Sequence, residues 1–177
     1  MGLAENRAVI AAHHERLNRG AIDAAVEDFA EDSRNHGRPV GREGASRVLH
    51  DIQETFPDFR LEILDLVAEG DDVIVRCACS GTHLGTGHLP VNGGLLVRVP
   101  PTGKRFEVQP IHWYKLRDGK IADHHANRDD WHDAAARFVP IGRAPSFDEA
   151  AAGSLATASD ADSRHYLLRR GPLDVRS

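Results

Sequence analysis

Two histidines in the second half of the chain, His112 and His124, are the residues whose type and spacing best suit chemistry. Histidine is the one side chain whose unperturbed pKa lies near neutrality, so two imidazoles facing a desolvated pocket can act as acid and base without a cofactor. The alternative is a hydrogen-bonded, partly buried pair with a structural role only. Both interpretations need an element that brings the two rings together.

A β-hairpin over residues 109–130 is the element that the sequence predicts. Two alternating runs are joined there by an Arg-Asp-Gly turn, and Gly119 supplies the positive φ that a short hairpin loop needs. If Gly119 forms the bulge of a three-residue loop, Leu116 lies opposite Lys120. The same register places His112 opposite His124, with both rings on one face.

The composition indicates one domain with a core and an appendage, because the chain has 177 residues, of which 41% are hydrophobic and 28% charged. A formal net charge of −5 and a pI near 6.1 argue against a nucleic-acid-binding surface. No apolar run approaches the ~20 residues that span a bilayer, and the first residues are charged, unlike a secretory segment. We therefore expect a cytoplasmic protein that binds neither nucleic acid nor membrane.

The two cysteines, Cys77 and Cys79, are predicted to be reduced thiols of the core. They stand two residues apart on a predicted strand, where parallel side chains are poorly placed for a disulfide. No Cys-x-x-Cys or similar ligand spacing indicates a zinc site. A transition metal on His36, His112 and His124 is the weaker alternative, and we expect no bound metal.

Three helices are predicted in the first third of the chain, at residues 5–18, 22–29 and 42–55. Gly20 is placed to stop the first of them, and Pro57 ends the third. His13 and His14 are predicted to lie on the surface of the first helix. The segment 34–37 is too polar for the core, which indicates an exposed turn.

From Phe59 onward the hydrophobic period changes to two, which predicts strands at residues 59–63, 73–79, 95–99 and 105–116 before the second hairpin strand. Residues 80–94 form a glycine- and histidine-rich loop of a length that often covers a site. A last helix is predicted after Asp129. Periodicity is lost beyond it, so we place a domain at residues 1–142 and a tail at 143–177, either flexible or packed on a partner subunit.

Helices followed by antiparallel strands predict an α+β fold in which the helices cover one side of a strongly bent sheet. Such a sheet encloses a pocket, and residues that face it from different elements become candidate ligand contacts. The candidates beyond the two hairpin histidines are Phe56, His83, Trp113, Tyr114 and Trp131. For the aromatic residues the alternative is plain core packing, and for His83, as for His88, it is a solvated loop position.

Seven short motifs follow one another in an order that characterises a known family. They are Asn18-Arg19-Gly20, Asn35-His36-Gly37, Gly41-Arg42-Glu43-Gly44, Phe56-Pro57-Asp58, Ser80-Gly81-Thr82-His83, Pro100-Pro101-Thr102-Gly103-Lys104 and Arg117-Asp118-Gly119-Lys120-Ile121. Together they resemble the SnoaL-like polyketide cyclases, which belong to the superfamily of nuclear transport factor two and ketosteroid isomerase. The resemblance covers residues 5–139.

The resemblance implies a strongly curved, mixed β-sheet that forms a cone, packed against three N-terminal helices around an enclosed small-molecule cavity. It also implies cofactor-free acid/base chemistry on a polyketide, which in the cyclases is an intramolecular aldol closure of a ring. His112 and His124 match the family's site histidines. Asn35 and His36 match the polar position that closes the cavity from the helical side.

Ala126 departs from the family pattern. In the cyclases the position two residues after the second site histidine holds the aspartate that takes the substrate proton. With alanine here, the resemblance implies cyclisation or a sister hydration, isomerisation or ring opening of a polyketide-like substrate. The alternative is a non-catalytic protein that binds a small hydrophobic ligand.

Sheets of this type commonly pair, so we expect a homodimer or higher homo-oligomer.

Overall fold

The computed structural model describes residues 2–89 and 97–127 of the chain. Three helices precede most of the strands: α1 (Leu3–Asn18), α2 (Ile22–Val26) and α3 (Gly41–Thr55). The strands are β1 (Phe29–Asn35), β2 (Arg38–Pro39), β3 (Arg60–Glu69), β4 (Asp72–Thr82), β5 (Arg105–Val108), β6 (Ile111–Arg117) and β7 (Lys120–Asn127). No helix in these two ranges is long and apolar enough to cross a membrane.

The strands of the described ranges form one curved mixed sheet in the order β2-β1-β7-β6-β4-β3, with β5 also paired to β4. Strands β1 and β7 run parallel, and the remaining pairs are antiparallel. Helix α1 packs mainly on β3, and α3 packs on β1. This arrangement confirms the α+β class, the mixed curved sheet and the three N-terminal helices.

Helix α1 ends where the sequence predicts, at a glycine in the left-handed region. Gly20 has φ 68°, and its N–H donates to the Leu17 carbonyl while the Ala21 N–H donates to the Arg16 carbonyl. These two bonds form a Schellman motif, which satisfies carbonyls that the end of a helix leaves unpaired. The chain then turns directly into α2.

The prediction that the second helix continues to Phe29 is wrong. Helix α2 ends at Val26, and Phe29 begins β1, which pairs in parallel with β7. Of residues 34–37, which were predicted to form a polar turn, the first two end β1, and His36 and Gly37 form a tight turn into β2. Strand β1 escaped prediction because its inward position Ser33 is polar, so the strand lacks the apolar alternation that marks a half-buried strand.

The predicted register of the β6–β7 hairpin is also wrong. Asp118 and Gly119 both have positive φ, at 51° and 74°, so the loop has two residues and Arg117 pairs with Lys120. Such a loop requires left-handed residues at both central positions, and aspartate tolerates that conformation better than most residues. A bulge between Lys115 and Leu116 then shifts the register further along the hairpin.

The strand predicted over residues 105–116 is broken into β5 and β6 at Gln109 and Pro110. Proline has no N–H for the ladder, but its carbonyl still accepts a hydrogen bond from the Cys77 N–H at 3.2 Å. Both cysteines lie buried on β4, as predicted. Strand β4 is longer than predicted and continues to Thr82.

Several predictions fall outside the described residues. Part of the strand at 95–99 does so, and within the described ranges Val97 makes an isolated bridge with Gly87. Trp131, the last helix, the boundary at residue 142 and the tail at 143–177 also lie outside.

Candidate active site

The rings of His112 and His124 meet on the inner face of the hairpin. The Nδ1 atom of His112 lies 2.9 Å from Nε2 of His124, and the ring centroids are 5.1 Å apart at an interplanar angle of 16°. The two residues are diagonal neighbours, because His112 pairs with Ala126 and His124 pairs with Tyr114. A diagonal pair on one face is within reach of long side chains, so the rings meet although the predicted register is wrong.

Tyr114 lies beside the pair on the same face of β6. Its ring stacks on His124 at 4.9 Å and on His112 at 6.0 Å between centroids. Its hydroxyl group lies 3.0 Å from Nε2 of His14 on α1. His112, Tyr114 and His14 are 6%, 2% and 1% exposed, so this contact links helix and sheet through buried polar groups.

The prediction that His13 and His14 lie on the helix surface is wrong, because both are buried. They belong to a stripe of α1 with buried positions at helical spacing: Asn6, Ile10, His13, His14 and Leu17. This spacing is present in the sequence, but histidine at two of its positions led to the prediction of a polar, exposed face. The stripe is the signal by which His14 could have been found.

His13 is held by a partly buried cluster with Asp28 and Arg16 at the end of the stripe. Its Nδ1 atom lies 3.0 Å from a carboxylate oxygen of Asp28, and Arg16 donates to both oxygens of the same carboxylate at 2.8 and 2.9 Å. The His13 ring contacts Phe29 edge-on, with centroids 5.4 Å apart. The cluster fixes α1 against the start of β1, while His14 makes the hydrogen bond from the helix to the hairpin.

Burial lowers the pKa of His14 to about 3, with a smaller contribution from the neighbouring His13. Removing an imidazole from water disfavours its charged form, so His14 is neutral at neutral pH. A neutral imidazole beside the pair adds no positive charge to it. His14 therefore acts as a hydrogen-bonding partner of Tyr114 and not as a cation.

Asn35 and His36 lie at the end of β1, next to His124. Asn35 is the parallel partner of His124, and the His36 N–H donates to the His124 carbonyl at 2.9 Å. Nε2 of His36 accepts from the Ala126 N–H at 3.4 Å, while the exposed His36 ring lies edge-on to His125. The turn after β1 thus anchors both flanks of His124.

The structure does not bring all predicted contacts to this place. Trp113 is on the opposite face of β6, 49% exposed, and its indole N–H donates to Asp72 at 2.8 Å. Adjacent strand residues point to opposite faces, so Trp113 and Tyr114 cannot both line one pocket. Trp131 lies outside the described residues.

Phe56 and His83 form a separate group near the end of α3. Their ring centroids are 5.8 Å apart, and Phe56 also packs edge-on against Phe106 at 5.0 Å. The solvated position favoured for His83 is wrong: the residue is fully buried, burial lowers its pKa, and its Nδ1 lies 3.1 Å from the Thr102 hydroxyl. His88, in contrast, is exposed.

The arrangement can hold and move a single proton. In the 2.9 Å contact one ring nitrogen donates and the other accepts, so the pair shares one proton and can accept one more without losing the bond. A second added proton would place two imidazolium rings in contact, which like-charge repulsion opposes. In the described ranges, no group of three or more His, Cys, Asp or Glu side chains is arranged to hold a metal ion.

Solved structures share this fold over most of the chain. AclR of Streptomyces galilaeus superposes with a TM-score of 0.64 over 88% of this chain and 94% of its own, at 22% identity. IdmH of Streptomyces antibioticus superposes with a TM-score of 0.58 over 76% of this chain and 99% of its own, at 31% identity.

Sequence comparison identifies related enzymes. The nogalonic acid methyl ester cyclase of Streptomyces nogalater is 30% identical over 132 residues, covering 71% of this chain and 89% of the relative. The aklanonic acid methyl ester cyclase DnrD of Streptomyces peucetius is 33% identical over 131 residues, covering 73% of this chain and 74% of the relative. The family profile described as SnoaL-like polyketide cyclase matches residues 7–135. The chain belongs to the SnoaL-like polyketide cyclase family.

Proposed function

We propose that this chain is a cofactor-free acid/base enzyme that acts on a polyketide or related natural-product intermediate, with His112 and His124 as the groups that exchange a proton with it. The observation that carries the proposal is the 2.9 Å bond between ring nitrogens of the two residues. Paired imidazoles beside a buried tyrosine combine a proton acceptor with a low-dielectric setting, which strengthens electrostatic stabilisation of a developing oxyanion.

For an aldol closure, the pair removes a proton from the carbon next to a substrate carbonyl. The enolate carbon then attacks a second carbonyl of the same molecule, and the new alkoxide takes the proton back from the pair. The proton lost in the first step returns in the last, so no external acid, base or oxidant is consumed. Asn35, the neighbour of His124, contacts a substrate oxygen in this scheme, while His36 anchors the backbone around His124.

Ala126 is the reason for assigning the base to the histidines. It pairs directly with His112 on the same face, so a carboxylate at this position would stand beside the imidazole pair. With a methyl group there, we assign the role of the base to the pair itself. The same base can also start a hydration, an isomerisation or a ring opening, because each begins with a proton transfer at oxygen or carbon.

The test uses nogalonic and aklanonic acid methyl esters, after which the related cyclases are named. The purified protein is incubated with each ester, the products are separated by chromatography, and their masses are measured by mass spectrometry. Cyclisation and isomerisation leave the mass unchanged but alter the retention time, whereas hydration adds the mass of one water. We expect turnover of at least one ester.

His112→Ala and His124→Ala should each reduce this turnover by about 10²-fold or more. His125→Ala is the matched control, because His125 follows His124 on the same strand but is exposed. Its turnover should stay close to that of the unmodified chain. Unchanged rates in the first two variants would remove the pair from the mechanism.

A non-catalytic binding protein is the second candidate function, and Ala126 is the observation that favours it. The same face would then hold a hydrophobic ligand without transforming it. Equilibrium dialysis followed by mass spectrometry separates the two functions, because a binding protein returns its ligand unaltered.

A further inference from the structure

The two rings of the histidine pair lie side by side and nearly in one plane. Their centroids are 5.1 Å apart, which is close to the longest separation that two imidazoles can have when two of their nitrogens are 2.9 Å apart. The bonded nitrogens of His112 and His124 therefore lie on the line between the centroids, which gives the near-linear geometry that hydrogen bonds prefer. The faces of both rings are left for other contacts.

The ring of Tyr114 covers one face of the pair. Its centroid is 4.9 Å from that of His124 at an interplanar angle of 22°, and 6.0 Å from that of His112 at 12°. Both separations lie in the range of offset-stacked aromatic rings. At 4.9 Å two rings are too close to lie side by side, so the tyrosine ring lies over the plane of the pair.

The tyrosine ring is fixed at both of its ends. Its strand position opposite His124 determines where the ring begins, and its hydroxyl oxygen lies 3.0 Å from Nε2 of His14 on α1. Tyr114 is 2% exposed and His14 is 1% exposed. The ring therefore keeps one face against the pair.

We propose that Tyr114 is a positioning residue of the histidine pair, and that the electron-rich face of its ring stabilises the proton that the pair takes up. The inference rests on the proposed function for its effect on turnover, whereas the contact itself involves this chain alone. A cation within about 6 Å of the centroid of a tyrosine ring is attracted by the quadrupole of that ring, and both imidazoles meet this distance. The contact should make the pair a stronger base.

The other titratable and charged side chains around the pair lie on three elements. They are His13 and His14 on α1 with their neighbours Arg16 and Asp28, His36 after β1, and Asp123 and His125 on β7. Burial lowers the pKa of His14 to about 3, so its ring is neutral beside the pair. Asp123 and His125 are the chain neighbours of His124, and adjacent strand residues point to opposite faces. Tyr114 is thus a neighbour that contacts both imidazoles and favours their charged form.

The test follows proton uptake by the imidazoles of the ligand-free protein, with their NMR signals recorded as the pH is lowered. The signals that are lost in His112→Gln and His124→Gln identify the pair. Tyr114→Leu should weaken the proton affinity of the pair by about 3- to 30-fold, so that the midpoint falls by about 0.5–1.5 pH units. Tyr114→Phe keeps the ring face and should change this affinity by less than about 2-fold.

Phe106→Leu is the matched control for the loss of a buried aromatic ring. Phe106 is 1% exposed and packs edge-on against Phe56, with centroids 5.0 Å apart. Its replacement should destabilise the fold without changing proton uptake by the pair.

The direction of the change separates the proposed role of Tyr114 from a structural one. Water that enters the space left by the ring would favour the charged imidazoles and would strengthen proton binding. An unchanged or increased proton affinity in Tyr114→Leu would therefore overturn the proposal. A decrease of the same size in Tyr114→Phe would overturn it as well, because that result would assign the effect to the hydroxyl group.

A second series keeps the proposal testable if Tyr114→Leu does not fold. Phenylalanine analogues with one, two and three fluorine atoms are incorporated at position 114. Fluorine withdraws electron density from the ring face and changes the size of the ring little. The proton affinity of the pair should decrease stepwise along the series, and an equal affinity in all its members would overturn the proposal.

The outcome is separable from that of the proposed function. If His112→Ala leaves ester turnover unchanged, the catalytic pair fails as a proposal, while the NMR titration still decides whether Tyr114 stabilises the added proton. If turnover does depend on the pair, Tyr114→Leu should shift the acid side of the pH profile of kcat/KM to lower pH by the same amount as the midpoint, because a weaker base stays unprotonated in more acidic solution. A profile that does not move with the midpoint would overturn the role of Tyr114 in turnover.

Discussion

The Nε2 atom of His14 lies 3.0 Å from the hydroxyl oxygen of Tyr114, and this contact joins α1 to the inner face of β6. Both residues are almost completely buried. The same tyrosine ring stacks on His112 and His124, so the helix holds in place the residue that backs the histidine pair. This one hydrogen bond therefore contributes both to stability and to the geometry of the site.

Tyr114→Phe should lower the free energy of unfolding by about 1–3 kcal/mol, because it leaves the buried His14 ring without its partner. The ring stacking is retained, so the loss reports the hydroxyl. Urea unfolding measures it. In a His14→Leu background the same substitution should cost clearly less, since the partner is already gone. An equal cost in both backgrounds would mean that the 3.0 Å contact contributes nothing.

Stability should decrease as the pH falls below 6.5, because of His14. Its folded-state pKa is lowered to about 3, whereas the pKa of an imidazole in the unfolded chain is the ordinary 6.5. Below that value the unfolded state binds a proton that the folded state excludes. The contribution is thus complete above pH 6.5 and is lost with acidification by at most about 1.4 kcal/mol per pH unit.

Urea unfolding between pH 7 and about pH 5, above the usual range of carboxylate titration, measures this effect. His83, whose pKa burial also lowers, contributes in the same direction. The His14→Leu variant separates the two contributions. In this variant the change of the unfolding free energy with pH should be smaller than in the unmodified chain, by the equivalent of up to one proton. An identical pH dependence of the unfolding free energy in the variant would show that His14 does not cause the loss of stability in acid.

The sequence predicts the parts of this fold whose periodicity is carried by apolar residues. Helix α3 and strand β4 are of this kind. It fails where polar residues occupy inward positions, as Ser33 does on β1 and as His13 and His14 do on α1. Burial of these groups depends on partners such as Asp28 and Tyr114 that are remote in the chain.

The histidine pair was predictable in part. Residue type and hairpin alternation indicate that His112 and His124 share a face, and that expectation holds. The register of the two strands was not predictable, because it depends on the left-handed conformation of Asp118 and on a bulge beyond the turn. The turn and the bulge each shift the register by one residue, so His112 lies opposite Ala126 and not His124, and a sequence pattern leaves both features open.

Asp51 should control the order of the loop that follows β4. Its buried carboxylate accepts the His88 N–H at 2.8 Å and the Leu89 N–H at 3.3 Å. Bonds to a charged acceptor are stronger than neutral ones, so Asp51→Ala should speed amide hydrogen exchange at both positions by about 10-fold or more. Glu54→Ala, which removes an exposed carboxylate 4.0 Å from His88, is the control. Equal exchange in all three proteins would show that the carboxylate does not hold the loop.

The outer face of the sheet should mediate self-association. Val67 and Trp113 flank Ile74 in one row across three strands, and Val67, Trp113 and Ile111 are 56%, 49% and 47% exposed. A row of large apolar side chains on a sheet face is a common mark of a protein interface. We therefore expect a homodimer or higher homo-oligomer by sedimentation velocity at micromolar concentration. Trp113→Arg should dissociate it, because burying a guanidinium between the copies in place of an apolar ring carries a large desolvation cost. Leu84→Arg, at a similarly exposed position off the sheet, should not, and sedimentation of the unmodified chain as a monomer would exclude this face as an interface between copies.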